Sequence, residues 1–249
     1  LIINPVMTSA ADQIISTVKG ADVPTVLINR EPTADQMSAY DKLVYVGCDA
    51  AQSGTFQGEL ILDTENKGDI NGDGKVSYIM IQGDPENIDA QLRTEYSVKA
   101  LTDAGKEVEC LYEYLDNWDQ TTAQQDVANA LSQCGDKIEV VFCNNDAMAL
   151  GALQSIEQAG RTVGKDIYLV GVDALKEAFQ NVVDGKMTGT VLNDDVGQAT
   201  AAADATKLFV EGGSVEEYYW VDYVKVTTEN AAQDLSETAG QSPQLQGAQ

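Results

Sequence analysis

Lys137-Ile138-Glu139-Val140-Val141-Phe142-Cys143-Asn144-Asn145-Asp146-Ala147-Met148-Ala149 holds one whole unit of the fold in a single run. The continuous apolar stretch over 138–143 has the length and β-branched content of a strand buried on both faces. It stops at three polar residues, of the types that cap helix N-termini, and a helical pattern then runs over 146–159. The same unit recurs along the chain. Further strands are predicted at 1–3, 24–28, 43–46, 76–82, 107–112, 167–172, 189–192 and 218–226. Helices are predicted at 10–19, 51–62, 89–104, 121–133, 176–183 and 197–210, the last stopped by Gly212-Gly213. Repeated alternation of this kind specifies an α/β fold with parallel sheets, whose ligands sit at the carboxyl ends of the strands. The apolar runs close with Asn4, Asn29-Arg30-Glu31, Asn144-Asn145-Asp146, Asp173 and Asn193-Asp194-Asp195. Turn chemistry explains any one of these ends; their recurrence at one sheet edge favours a polar ligand site there. The residues after Leu235 lack apolar periodicity, and 238–249 read as a disordered tail.

A second signal lies in Asp69-Ile70-Asn71-Gly72-Asp73-Gly74-Lys75-Val76-Ser77, which puts oxygen donors at every second position around a glycine turn. Calcium takes six to eight oxygens, and an EF-hand-type loop supplies them at positions 1, 3, 5, 7 (a backbone carbonyl) and 9, with glycine at 6. Here those are Asp69, Asn71, Asp73, the carbonyl of Lys75, and Ser77. The bidentate Glu expected at position 12 is Met80, inside an apolar run, so the loop enters a strand and the last carboxylate must come from elsewhere. A plain solvated turn of Asp, Asn and Gly is the alternative.

With 15 Lys+Arg against 40 Asp+Glu, the net charge of −25 opposes binding to nucleic acid or anionic membrane. No apolar run approaches the ~20 residues needed to span a bilayer, so the chain is not expected to insert in a membrane. His is absent and Cys48, Cys110, Cys134 and Cys143 show no C-x-x-C spacing, which leaves nothing for a zinc site or a Cys/His nucleophile. The cysteines read as small apolar core residues; a Cys110–Cys134 bridge is conceivable but unsupported by spacing. The commonest general base is missing, and no G-x-S-x-G, P-loop or G-x-G-x-x-G occurs. The sequence therefore argues against an enzyme.

Several segments together resemble the periplasmic glucose/galactose-binding proteins, sugar receptors of ABC importers and of chemotaxis. They are Val23-Pro24 through Asn29-Arg30-Glu31-Pro32, Tyr45-Val46-Gly47 with Asp49, the 69–77 loop, 137–149, Gly171-Val172-Asp173-Ala174-Leu175, and Gly189-Thr190-Val191-Leu192-Asn193-Asp194. The resemblance covers 1–212 and not the tail. It implies two α/β lobes joined by three crossovers: 1–30 plus 194–222, and a calcium-carrying lobe of 31–193 plus 223–237. It also implies sugar-hydroxyl ligands at Asn4, Asn87, Asp89, Arg93, Asn145, Asp173 and Asn193, and a stacking ring at Trp118. The chemistry suits a sugar, because Asp beside Arg or Asn serves both the donor and the acceptor side of a hydroxyl. Asp89 and Arg93 stand four apart on one helix, so a structural ion pair is the competing reading; for Trp118 it is a core role.

By the same resemblance Glu139 is the remote bidentate calcium ligand, filling the gap left at Met80. Ser77 stands where the family has a longer amide, and Asn87 where it has a His, which bears on affinity and on the glucose/galactose preference. Family members also carry two strand-helix units before the strand at Leu1, so the expectation is a chain with its N-terminal lobe incomplete and sugar binding weakened. The function implied is monosaccharide binding, periplasmic or lipid-anchored outside a Gram-positive cell, with delivery of glucose or galactose to an ABC permease and to a chemoreceptor. A sugar-sensing domain of a LacI-like regulator or a sensor-kinase partner is the alternative.

Overall fold

Alternation along Tyr78-Ile79-Met80-Ile81 sends successive side chains to opposite faces of a strand, and both faces are buried. This strand, β4 (Lys75–Gln82), is the centre of a parallel sheet in the order β5-β4-β6-β7, with β5 at Glu107–Leu115, β6 at Val140–Cys143 and β7 at Tyr168–Val170. The computed structural model describes residues 1–231. The expected tail, 238–249, and the end of the second lobe lie outside the described residues.

On one face of this sheet, Tyr78, Met80, Val140, Phe142 and Val170 pack against Leu60 and Ile61 of α3 (Ala50–Leu62) and Leu101 of α4 (Ile88–Asp103). On the other, Ile79, Ile81, Val141, Cys143 and Leu169 meet α5 (Gln120–Cys134), α6 (Asp146–Gln158) and α7 (Lys176–Val183). Full burial of each such aliphatic or aromatic side chain stabilises by about 1.5–3 kcal/mol. β8 (Thr190–Leu192) continues the sheet beyond β7 through the parallel bridges Val170–Gly189 and Asp173–Leu192, and β10 (Val224–Val226) closes it antiparallel to β8.

A second parallel sheet has the order β1-β2-β3-β9, with β1 at Ile2–Ile3, β2 at Thr25–Ile28, β3 at Leu43–Gly47 and β9 at Tyr218–Trp220. One face, with Leu27, Leu43 and Tyr45, is covered by α1 (Ala11–Gly20) and α2 (Ala34–Ser38). The other, with Val26, Val44 and Val46, is covered by α8 (Asp195–Glu211).

Three expectations change. Residues 34–47, assigned above to the calcium-carrying lobe, belong to the other sheet, because β3 pairs with β2 on one side and β9 on the other. The single strand over 218–226 is two strands in different sheets, separated by a crossing at Val221–Tyr223. Helix α2 was not expected, although Thr33 and Gln36 form a capping box in which the Thr33 hydroxyl accepts from the Gln36 amide at 3.2 Å and Gln36 Oε1 accepts from the Thr33 amide at 2.9 Å.

The chain crosses between the sheets at 48–49, 193–194 and 221–223. All four cysteines are free; Cys48 and Cys143 are buried as expected, Cys134 is half-buried, and Cys110 is exposed on β5 rather than in the core. No described helix is long and apolar enough to cross a membrane.

Candidate functional site

The carboxyl ends of the strands of both sheets face each other, and the polar residues that end them meet there. From the first sheet come Asn29, Arg30 and Glu31, after β2. Asn29 adopts a left-handed conformation (φ 67°), and the Tyr45 hydroxyl donates to its carbonyl at 2.9 Å. From the second sheet come Asp89 and Arg93 on α4, Trp118 after β5, Asp173 after β7 and Asn193 after β8.

Asp89 and Arg93 do not form the i,i+4 pair that their spacing allows. Arg30 Nη1 lies 3.6 Å from Asp89 Oδ2, joining the two sheets, and Arg93 Nη1 lies 3.9 Å from Asp173 Oδ1. Arg93 is 4% exposed; its Nη1 donates to the Asn144 carbonyl at 2.8 Å and its Nη2 to the Tyr223 hydroxyl at 3.0 Å. Burial opposes its charge, but Tyr223, Asp173 and Asp89 outweigh that and hold the guanidinium protonated. Burial pushes the Asp89 carboxyl up, against the pull of Arg93 and Arg30. Asp173 is likewise raised by burial, with Arg93 opposing and Asp89 reinforcing. Tyr223 is pushed up to about 12, chiefly by burial.

Trp118 is half-buried, with its ring packed against the Cα of Gly83: a Cβ there would lie 2.2 Å from the indole. The guanidinium of Arg30 stands 5.5 Å from the ring centroid and that of Arg93 5.9 Å, within reach of cation–π attraction. Asn117, Trp118, Asp173 and Ala174 all have left-handed backbones, with φ of 50°, 68°, 111° and 54°. Such conformations are costly for non-glycine residues and gather at ligand clamps.

The remaining expected ligands are placed differently. Asn193 bridges the sheets: its amide donates to Asn29 Oδ1 at 3.4 Å, while its Oδ1 accepts from Gln198 at 2.6 Å. Asn145 caps α6 by accepting from the Met148 amide at 2.9 Å, which leaves its own amide group for a ligand. Asn87 caps α4, accepting from the Asp89 amide at 3.0 Å, and is 4% exposed. Asn4 follows β1 at the same sheet edge but is exposed and outside these contacts. Asn144 and Asp146, read above as part of the polar edge, are internal braces. Asn144 Oδ1 accepts from the Gly83 amide at 3.0 Å, and Asp146 accepts from the Thr190 hydroxyl at 2.6 Å and the Leu175 amide at 2.8 Å. Arg30 and Tyr223, which the sequence reading did not place among the sugar ligands, contact Asp89 and Arg93 in the same group of side chains. Arg30 was visible as part of a polar strand end; nothing local marks Tyr223.

A second constellation surrounds the 69–77 loop. Asp69 accepts from the amides of Gly72 at 2.8 Å and Gly74 at 3.1 Å, Asn71 from that of Asp73 at 2.8 Å, and Asp73 from that of Lys75 at 3.0 Å. Glu139, 1% exposed, reaches across from the start of β6 and accepts from the Asn71 and Ser77 amides, each at 2.9 Å. Among the described residues no group of three or more carboxylate, thiol or imidazole side chains is gathered tightly enough to hold a metal by itself. The loop instead offers a mixed set of carboxylate, amide, carbonyl and hydroxyl oxygens, the chemistry of a hard cation.

Residues 1–214 match the family described as periplasmic binding protein domain. The D-galactose/methyl-galactoside binding periplasmic protein of Haemophilus influenzae is 38% identical over 221 residues, which cover 87% of this chain and 66% of that protein. Among solved structures, a periplasmic solute binding protein of an ABC transporter from Actinobacillus succinogenes, with bound D-allose, superposes with a TM-score of 0.82 at 22% identity, covering 93% of this chain and 79% of the other. A solute binding protein of an ABC transporter from Bacillus halodurans, with bound myo-inositol, gives 0.80 at 26% identity, covering 95% and 77%. Two α/β layers with their strand ends opposed, three crossings between them and the match over 1–214 agree: the chain belongs to the periplasmic binding protein domain family.

Proposed function

We propose that this chain is an extracytoplasmic receptor for a monosaccharide, glucose or galactose, which it presents to the permease of an ABC importer and to a chemoreceptor. The observation that carries this reading is the convergence of Arg30, Asp89, Arg93, Trp118, Asp173 and Asn193 between the two sheets. A pyranose has an apolar face and a rim of hydroxyls. Trp118 suits the face. Asp89 and Asp173 accept from hydroxyls, while Arg93, Asn193 and the amide of Asn145 donate to them, so each hydroxyl finds both roles filled. Ligand touching both sheets stabilises the arrangement in which they are close, a population shift that a permease can read. The similarity to a galactose-binding relative favours a hexose.

The 69–77 loop suits a structural calcium ion held by Asp69, Asn71, Asp73, the Lys75 carbonyl, Ser77 and Glu139. Such an ion, saturated with protein oxygens, stabilises the fold without an open position for catalysis. The side-chain oxygens of Asp69, Asn71 and Asp73 accept from the loop's own amides, and Glu139 accepts from the backbone amides of Asn71 and Ser77.

Calorimetric titration of glucose, galactose, ribose, allose and myo-inositol, with calcium present, tests the assignment. Saturable binding of glucose or galactose, tighter than of the other three, is expected. Binding of none of them by a folded sample, or a preference for one of the other three, refutes the hexose reading.

A further inference from the structure

Asp116 follows the end of β5 and is 2% exposed, yet neither of its carboxyl oxygens meets a hydrogen-bond donor. Its backbone is fixed: its amide donates to the Gln82 carbonyl at 2.9 Å, and its carbonyl accepts from the Asp119 amide at 2.9 Å. Between those two anchors lies the turn of Asn117 and Trp118, both left-handed, with the indole seated on Gly83. The groups facing the Asp116 carboxyl are Asp126 and Asp119 from α5 and its cap, Tyr114 from β5 and Cys143 from β6. No Lys or Arg is among them. Asp119 is satisfied by the amide and hydroxyl of Thr122, at 2.8 and 2.9 Å.

A carboxylate buried without donor or cation is costly, and it escapes the cost by taking up a proton. Burial first, and Asp126 second, push Asp116 up to about 7. Its carboxyl neighbour is Asp126, to which a protonated Asp116 can donate.

We propose that Asp116 is a positioning residue for Trp118: as a neutral carboxyl donating to Asp126 it holds the Asn117–Trp118 turn on Gly83, and on ionisation it releases that turn and weakens ligand stacking. The consequence for binding rests on the reading of Trp118 as a sugar-stacking ring; the consequence for the turn does not. Above the midpoint the two carboxylates repel, and hydrating Asp116, which is 2% exposed, requires the backbone that carries it into the Asn117–Trp118 turn to shift. Ligand affinity is then linked to one proton and falls by up to about tenfold per pH unit.

The test uses the full chain carrying Trp220→Phe, which leaves Trp118 as the sole indole. Its emission, recorded without ligand from about pH 5.5 to about pH 9, is expected to change with a midpoint near 7. Asp116→Asn, whose amide donates to Asp126 at every pH, should abolish the transition; Asp126→Asn, which removes the neighbouring charge, should move it to lower pH. In parallel, galactose affinity should decline above the midpoint in the Trp220→Phe protein and stay flat in the Asp116→Asn variant. A flat emission profile in the Trp220→Phe protein, or a midpoint unchanged by Asp116→Asn, overturns the proposal. If no hexose binds at any pH while the emission still titrates and Asp116→Asn abolishes it, the sugar assignment fails and the positioning role stands.

Discussion

Glu139→Gln separates what the carboxylate does for the loop from what it does for a metal. Glu139 is 1% exposed and accepts from two backbone amides, those of Asn71 and Ser77, at 2.9 Å. Hydrogen bonds to a charged acceptor contribute about 1.5–3 kcal/mol each. Gln keeps one oxygen, now neutral, and turns an NH₂ group toward the other amide, so one bond is lost and the second weakened. In chelator this costs about 2–4 kcal/mol. With calcium at a thousand times its dissociation constant, the wild-type protein gains a further ~4 kcal/mol. The Gln variant forfeits most of that gain, because a single amide oxygen replaces a bidentate carboxylate. A chain of this size converts each kcal/mol to about 2–4 °C of Tm. Chelation should therefore lower the wild-type Tm by about 8–16 °C and that of Glu139→Gln by only a few degrees, read by far-UV circular dichroism. A variant as stable as wild type in chelator would contradict the bracing role of Glu139. A variant with the full wild-type calcium response would contradict its role as a metal ligand.

Trp118→Ala should weaken hexose binding by about 30-fold, equivalent to about 2 kcal/mol, when measured by calorimetry. Gly83→Ala should reproduce most of that loss without touching the ring chemically, since its Cβ would fall 2.2 Å from the indole and displace it; overpacking adds about 1–3 kcal/mol of instability, and retention of full affinity would show that the ring position is unimportant. Arg93→Met should destabilise by about 3–5 kcal/mol at neutral pH, because it leaves Asp173 buried without its paired cation and Asp89 with Arg30 alone. Both carboxyls already titrate above their ordinary range through burial, and losing Arg93 raises them further. The folded variant then holds protons that the unfolded chain has released, so the deficit fades as pH falls through the raised values. Urea unfolding at about pH 5 and about pH 8 reads this difference directly.

The parts of the fold that were legible in the sequence are those decided by local pattern. The run from Ile138 to Ala149 became β6 and α6 because a continuous apolar stretch of strand length, a capping Asn145 and a helical repeat agree with one another. The split of 218–226 was not legible: the run reads as one strand, and only the pairing of Tyr218–Trp220 with β3 and of Val224–Val226 with β8 divides it. The placement of 34–47 failed for the same reason, since membership of a sheet is a property of partners distant in sequence. Thr33 and Gln36 did announce α2, but a helix this short carries too little periodicity to stand out beside its cap. In the site, strand-end position marked Asp173 and Asn193, whereas Asp89, Arg93 and Trp118 entered only through the family resemblance; Asp173 pairs with Arg93, whose guanidinium stands near Trp118, and Asp89 meets Arg30. Strand-end position could not distinguish Asn145, whose amide group stays available, from Asn144 and Asp146, whose side chains are spent on bracing. Burial decides that distinction, and burial depends on what the neighbouring strands contribute.

The three crossings and the ligand cleft are one piece of chemistry. Cys48, from the first crossing, donates its thiol to Asn193 Oδ1 at 3.3 Å, and Asn193 lies on the second. Gln52, at the start of α3, accepts from the Tyr223 amide at 2.7 Å and donates to Asp222 at 3.3 Å, both on the third. Two crossing residues also belong to the cleft: Asn193 meets Asn29 across it, and Tyr223 holds Arg93 through its hydroxyl. A ligand that draws on Arg93 or Asn193 therefore acts on side chains bonded to the segments about which the sheets would rotate. Rotation of the sheets cannot leave these contacts unchanged, because each joins a cleft group to a crossing through a single hydrogen bond. On the proposed reading, binding and closure would be coupled through Tyr223 and Asn193 with no pathway through either hydrophobic core.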